Sequence, residues 1–246
     1  MEQGFLNIAH RGFSGQYPEN TIIAFRAALE LGCTWLECDV RRTRDGCFVV
    51  IHDQTVDRTT NGTGRVDSLT WNEIMRLDAG SWKDPKFSGE RVPLLDELLT
   101  LVSGQAQLVI ELKVGKDSVP GVVSVVSRHC AFGWTVASAF EWEVLETVRR
   151  EAPRWRTTWL TTFEDLGPDE AINRCVDAGV DTIAPRASLI DVEFVRKAHA
   201  AGLLVRAWGV ADDTGPGLRR LIAAGVDGAT TNHPNVLKEI LNEPLS

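Results

Sequence analysis

No stretch of the 246 residues is apolar for long enough to span a bilayer, and the chain does not open on a charged segment followed by an apolar run. These absences predict a cytoplasmic protein. Runs of basic residues are also missing: 26 Lys and Arg stand against 34 Asp and Glu, a net charge of −8. Nucleic-acid binders and proteins resting on anionic membranes draw affinity from clustered Lys and Arg, so both classes are disfavoured. If the ligand is an anion, its attraction must come locally, from a metal or a few basic side chains. Cysteine is sparse and scattered. Cys33, Cys38, Cys47, Cys130 and Cys175 make an odd count with no CxxC pair, which fits reduced thiols rather than a disulfide framework.

What is present is an alternation of apolar, β-rich runs with amphipathic runs rich in Ala, Leu and Val. Strands are predicted at about 5–9, 35–40, 47–52, 107–112, 134–138, 155–160, 181–184, 203–208 and 228–231. Helices are predicted over 21–31, 94–103, 119–129, 141–151, 168–178, 191–201, 217–224 and 234–241. Gly32, Gly179, Gly202 and Gly225 follow helix ends, where a C-cap favours glycine. Strand-then-helix repetition means a parallel sheet covered by helices.

Nine strands are one too many for a (β/α)8 barrel. Between Val40 and Cys47 lie only six residues, whereas a parallel crossover needs about a dozen. The link is therefore an antiparallel hairpin, with Asp45-Gly46 as a two-residue turn that pairs Arg44 with Cys47 and Asp39 with His52. Setting that return strand aside leaves eight parallel strands. The expected fold is a TIM barrel of one domain, residues 1–246, with a hairpin extension at about 40–52 and an irregular insertion at about 53–92. Loops of that length are usually functional.

Barrel chemistry gathers at the C-terminal ends of the strands. There the sequence places His10-Arg11, Glu37-Cys38-Asp39, His52-Asp53, Glu111-Leu112-Lys113 and Arg206-Ala207-Trp208. Side chains alternate along a strand, so Glu37 and Asp39 share one face, as do Glu111 and Lys113, while Cys38 and Leu112 turn to the helices. Three carboxylates in one mouth repel unless a cation joins them. An all-oxygen set indicates a hard ion, Mg2+ or Ca2+. Two histidines supply a general acid and a general base, and Arg11 and Lys113 can hold phosphate oxygens. The roles describe phosphoryl transfer.

Plainer readings exist for each residue. The acids can be ion-paired with Arg11 and Lys113. Asn20 can cap the helix that starts at Thr21 or make a polar contact in the site. Lys113 can be a Schiff-base lysine, and Glu37 with Glu111 a glycosidase pair. Trp208 reads as a pocket wall and His129 and His199 as surface residues; His233, just after the last strand, reads as outside the pocket, with the rim as its lesser reading. Asn61-Gly62-Thr63-Gly64 lacks the Lys-Ser/Thr of a phosphate-binding loop and reads as a turn.

Several short motifs occur in order: His10-Arg11-Gly12, Pro18-Glu19-Asn20-Thr21, Glu37-Cys38-Asp39-Val40, Thr43-Arg44-Asp45-Gly46 running to His52-Asp53, Asp57 to Gly62, Glu111-Leu112-Lys113, Trp208 and Gly225-Val226-Asp227-Gly228. Together they resemble the glycerophosphodiester phosphodiesterase family over nearly the whole chain. The resemblance implies metal-dependent hydrolysis of glycerophosphodiesters to sn-glycerol 3-phosphate and an alcohol. It implies Glu37, Asp39 and Glu111 as ligands of one Mg2+ or Ca2+, and His10 and His52 as the acid–base pair. It also implies Arg11 and Lys113 at the phosphate, with Trp208 near the glycerol end; Asn20 joins the substrate-binding candidates. Water and the glycerol 2-hydroxyl both stay open as nucleophile, and the histidine roles stay unassigned. Lysophospholipid cleavage and a binding module without turnover are the alternatives. The chain departs from the family's usual pattern at Ala137-Ser138-Ala139-Phe140, at Gly209-Val210-Ala211 and at Ala229-Thr230-Thr231-Asn232, where many relatives carry Ser-Ser-Phe, Thr-Val-Asn, and Ile with Asp.

Overall fold

The computed structural model describes residues 4–243 other than Asp165 and Asp212. Eight parallel strands close on themselves. They are β1 (Leu6–His10), β2 (Trp35–Arg42), β4 (Gln107–Leu112), β5 (Thr135–Ala139), β6 (Arg156–Thr161), β7 (Thr182–Pro185), β8 (Leu204–Ala207) and β9 (Gly228–Thr231). Each pairs with the next, and β1 pairs with both β2 and β9, which makes the sheet a barrel. Strand β3 (Phe48–Val50) runs antiparallel on β2. The helices α1 (Ile22–Glu30), α2 (Trp71–Ile74), α3 (Leu95–Val102), α4 (Val119–Arg128), α5 (Trp142–Glu151), α6 (Pro168–Ala178), α7 (Val192–Ala200), α8 (Pro216–Ala224) and α9 (Pro234–Leu241) follow the strands. All but α2 lie within a residue or two of the spans expected from periodicity. Gly179 and Gly225 close α6 and α8 at φ +67° and +82°, the left-handed caps their positions called for.

Alternation along the strands sorts the barrel into two faces. Outward, Leu36, Cys38, Val40, Leu108, Ile110 and Leu112 join the helix side chains in one buried core. Inward, the bottom of the barrel is filled by Ile8, Val109 and Val136. One step further along β1, β4 and β5 the inward positions become His10, Glu111 and Ser138, and β2 adds Glu37 and Asp39. In the parallel register His10 stands level with Glu37, Asp39 with Glu111, and Glu111 with Ser138. An apolar plug thus sits below a polar mouth.

The hairpin differs from expectation by one residue. Val40 pairs with Val50 and Arg42 with Phe48, so Thr43 faces Cys47 across a three-residue loop. The Gly46 N–H donates to the Thr43 carbonyl at 3.1 Å and only Gly46 takes a positive φ, +88°. Asp45 keeps ordinary backbone angles because its carboxylate is engaged, accepting from Thr43 Oγ1 at 2.6 Å and from the Trp71 N–H at 3.0 Å. A two-residue Asp-Gly turn of type I′ needs positive φ at both central residues, so the loop takes three residues closed by a left-handed glycine instead. Asp39 therefore faces Ile51, whose N–H donates to its carbonyl at 3.0 Å, and His52 lies beyond the strand on the following loop. The insertion 53–92 contains short turns of helix, including α2, and closes over a small core of its own built on Val49, Ile51, Val56, Val66, Ile74, Ala79 and Val92.

Candidate active site

The mouth of the barrel holds a cavity of about 320 Å³. His10, Arg11, Glu37, His52, Glu111, Lys113 and Trp208 all reach it, so seven of the nine residues singled out from sequence share one wall. The other two, Asp39 and Asn20, lie just behind it: Asp39 is 0% and Asn20 3% exposed.

The carboxylates of Glu37, Asp39 and Glu111 bring oxygens within 4.8 Å of one another, and they form the one such cluster among the described residues. All converge on a point, which does not suit a glycosidase pair flanking a bond. Burial first and Asp39 second push the Glu37 carboxyl up to about 8. Glu111 is raised for the same two reasons. Burial would raise Asp39 as well, but Arg11, Lys113 and the two imidazoles outweigh it and hold it below its ordinary value.

Part of the repulsion is met by cations. Arg11 Nε lies 3.0 Å from Asp39 Oδ2, without hydrogen-bond alignment, and its backbone N–H donates to Glu37 Oε2 at 3.1 Å. Lys113 Nζ donates to Glu111 Oε1 and lies 3.5 Å from Asp39 Oδ1. Arg206 is 4% exposed inside the barrel and feels Glu37 and Glu111. This charge balance gives substance to the ion-pair reading, yet leaves two things unmet. Asp39 Oδ1 is buried with no hydrogen-bond partner, and Glu37 is pushed toward protonation. A buried carboxylate oxygen without a partner is costly, and a hard divalent cation among three carboxylates satisfies both. The residues present fit such an ion.

Asn20 answers the choice left open by its position. Thr21 is the residue that caps α1, and Asn20 caps nothing. Instead its Nδ2 donates to Asp39 Oδ2 at 2.8 Å. The backbone bends to allow this, with φ +57° at Asn20 and +56° at Arg11, and the Asn20 N–H donates to the Arg11 carbonyl at 3.0 Å. Asn20 is thus a support under Asp39, set back from the cavity.

The two histidines have different partners. His10 shares a 2.7 Å hydrogen bond between Nδ1 and Asn232 Oδ1. Its Nε2 lies 3.9 Å from Glu37 Oε2. His52 Nδ1 meets the Asp53 carboxylate at 2.6 Å. Burial lowers both imidazoles, and Arg11 lowers His10 further; Asp39 pulls each of them back up in part. Arg58, from the insertion, clamps Asp53 at 2.7 Å and Glu19 at 2.8 Å, while Glu19 in turn holds Arg11 at 2.7 Å. A chain of ion pairs therefore links the insertion to the mouth. His52 and Lys113 are joined through Arg41, which donates to the carbonyl of His52 at 2.7 Å and to that of Lys113 at 3.4 Å.

Sequence reasoning places Arg206 at the mouth without giving it a role, and gives none to Asn232, Arg58 and Glu19. Parity offers a signal for two of them, because Arg206 shares the inward face of Trp208 and Asn232 directly follows β9, two residues past the inward Thr230. His233 is absent from the cavity wall; its Nε2 lies 3.8 Å from Asp213. His129 and His199 pair with Asp96 and Asp227 far from the mouth. Trp208 forms an apolar wall with Phe140 and Leu160. Its ring meets Phe140 edge-on at 5.0 Å, and its indole N–H donates to the Ala184 carbonyl at 2.9 Å.

A family model for the Glycerophosphoryl diester phosphodiesterase family matches residues 10–236. The glycerophosphodiester phosphodiesterase of Caldanaerobacter subterraneus subsp. tengcongensis is 37% identical over 97% of this chain and 98% of its own. The solved structure of an Oleispira antarctica phosphodiesterase, in complex with the product sn-glycerol-3-phosphate, superposes with a TM-score of 0.87 at 28% identity, covering 96% of each chain. That of the Agrobacterium tumefaciens glycerophosphodiester phosphodiesterase gives 0.81 at 30%, over 94% of this chain and 98% of that one. Barrel and relatives together define a phosphoric diester hydrolase. The chain belongs to the glycerophosphodiester phosphodiesterase family. No helix among the described residues is long and apolar enough to cross a membrane.

Proposed function

We propose that this mouth hydrolyses glycerophosphodiesters to sn-glycerol 3-phosphate and an alcohol, within one catalytic unit spanning the chain. The carrying observation is the buried carboxylate triad, in which Asp39 Oδ1 has no hydrogen-bond partner and two imidazoles face the same cavity. Glu37, Asp39 and Glu111 would hold Mg2+ or Ca2+, which when bound polarises a phosphoryl oxygen and offsets charge developing on it.

The other roles follow from partners. Asn232 Oδ1 accepts the hydrogen bond of the His10 Nδ1–H, leaving the Nε2 lone pair aimed at the cavity. Its partner is a neutral amide, which suits His10 to take a proton from the attacking hydroxyl. His52 faces a carboxylate, Asp53, which stabilises the imidazolium and suits His52 to protonate the departing alcohol. Arg11 and Lys113 hold phosphate oxygens. Trp208, Phe140 and Leu160 offer an apolar surface to the glycerol carbons.

The test is release of glycerol 3-phosphate from glycerophosphocholine by purified protein with Mg2+ and with Ca2+. EDTA, His10→Ala and His52→Ala serve as controls. The expected outcome is metal-dependent release, reduced about 10²–10⁴-fold by either substitution. Cyclic glycerophosphate appearing before glycerol 3-phosphate would identify the 2-hydroxyl as nucleophile. Thermal stabilisation by substrate with no product, from this substrate or from lysophospholipids, would leave a binding module instead.

A further inference from the structure

Beside the catalytic cavity lies a second, polar one of about 300 Å³, and its charge is opposite to that of the protein. Arg41, Arg42, Arg44, Arg65 and Lys113 line it against a single carboxylate, Asp67, in a chain of net charge −8. Some of these cations are already matched. Arg65 is bidentate on Asp67 at 2.6 and 2.9 Å, Arg44 lies 3.4 Å from Glu73, and Lys113 is held by Glu111 and Asp39. Among the described residues neither Arg41 nor Arg42 has a carboxylate oxygen within 4.0 Å, although Asp39, Asp53 and Glu111 act on Arg41 from further off. Arg41 instead bonds the carbonyls of His52 and Lys113, so it forms the lip between this cavity and the mouth. Lys113 lines both.

We propose that this basic cavity is a subsite for the leaving alcohol, and that it selects alcohols carrying a phosphate or phosphodiester of their own. The inference rests on the reading of His52 as the acid that faces the leaving group. An alcohol protonated there departs past Arg41, directly into the basic wall. Guanidinium groups match phosphate oxygens two at a time, which an ammonium cannot do. A leaving group with a quaternary ammonium would meet the same wall unfavourably.

Two measurements separate this proposal from the one beneath it. Turnover of glycerophosphoglycerol, whose leaving alcohol is neutral, tests the phosphodiesterase reading alone. Calorimetric binding in EDTA tests the subsite, comparing glycerophosphoglycerol with the bis-phosphodiester glycerol-phosphate-glycerol-phosphate-glycerol. The wild-type protein is expected to bind the bis-phosphodiester about tenfold more tightly in low salt, with the margin shrinking as ionic strength rises. Arg42→Gln with Arg44→Gln, both exposed side chains, should remove that margin while leaving glycerophosphoglycerol turnover within about twofold of wild type. Equal wild-type affinity for the two ligands, or an undiminished margin in the double variant, would overturn the subsite whatever the turnover assay gives.

Discussion

Replacing Asn20 probes how the triad is held. Asn20 is 3% exposed, donates to Asp39 Oδ2 at 2.8 Å and sits at φ +57°. Asn20→Ala removes a buried hydrogen bond to a charged group, worth about 1.5–3 kcal/mol. It also places a Cβ without a compensating polar side chain in the left-handed region, at roughly 1–2 kcal/mol. The sum is about 2.5–5 kcal/mol of lost stability in the metal-free protein. Asn20→Gly loses the hydrogen bond but not the backbone fit, so it should cost about 2 kcal/mol. Urea unfolding with an unchanged m-value measures both. A carboxylate released from its orienting partner also binds metal more weakly, by about 10–100-fold, readable by calorimetry on either variant. If both substitutions leave the unfolding midpoint and the metal affinity at wild-type values, Asn20 does not support Asp39 and the account of this loop is wrong.

Other expectations concern charge and shape. Glu37 lies near 8 in the folded, metal-free protein and at its ordinary carboxylate value when unfolded. Its proton therefore stabilises the fold below the unfolded value, and this contribution is lost as pH rises through the folded one. Between pH 7 and 9, with unfolded histidines already neutral, thermal stability in EDTA should fall. Saturating Mg2+ or Ca2+ should flatten that slope, and an equal slope with and without metal would refute the shared-cation explanation. Asp53→Asn leaves His52 without its carboxylate, so kcat should fall by at least about tenfold with KM little changed; steady-state kinetics decide. Trp208→Ala opens the apolar wall beside Phe140 and should raise KM about five- to tenfold, whereas a loss confined to kcat would place Trp208 elsewhere in the reaction.

The barrel was legible because two periodicities carry it. Inward and outward faces alternate by two along every strand, and that parity alone put Glu37, Asp39, Glu111 and Lys113 into one mouth and Cys38 and Leu112 against the helices. What the sequence concealed depends on contacts far along the chain. The hairpin register turned on Asp45 being engaged by Thr43 and by Trp71, 26 residues away. Asn20 carries the signature of a helix cap, and the 2.8 Å bond to Asp39 that overrides it exists only once β2 is beside the loop. Arg58 reaches Glu19 across 39 positions and Asn232 reaches His10 across 222. Local pattern cannot encode pairings of that span; closing the barrel creates them.

The most direct measurement is an anomalous difference map from crystals soaked in Mn2+, a stand-in for the hard divalent ion. The account predicts one peak in the mouth, bonded at about 2.0–2.6 Å to an oxygen from each of Glu37, Asp39 and Glu111, with Lys113 drawn away from Glu111. A mouth without a peak, in protein that still releases glycerol 3-phosphate in EDTA, would contradict it.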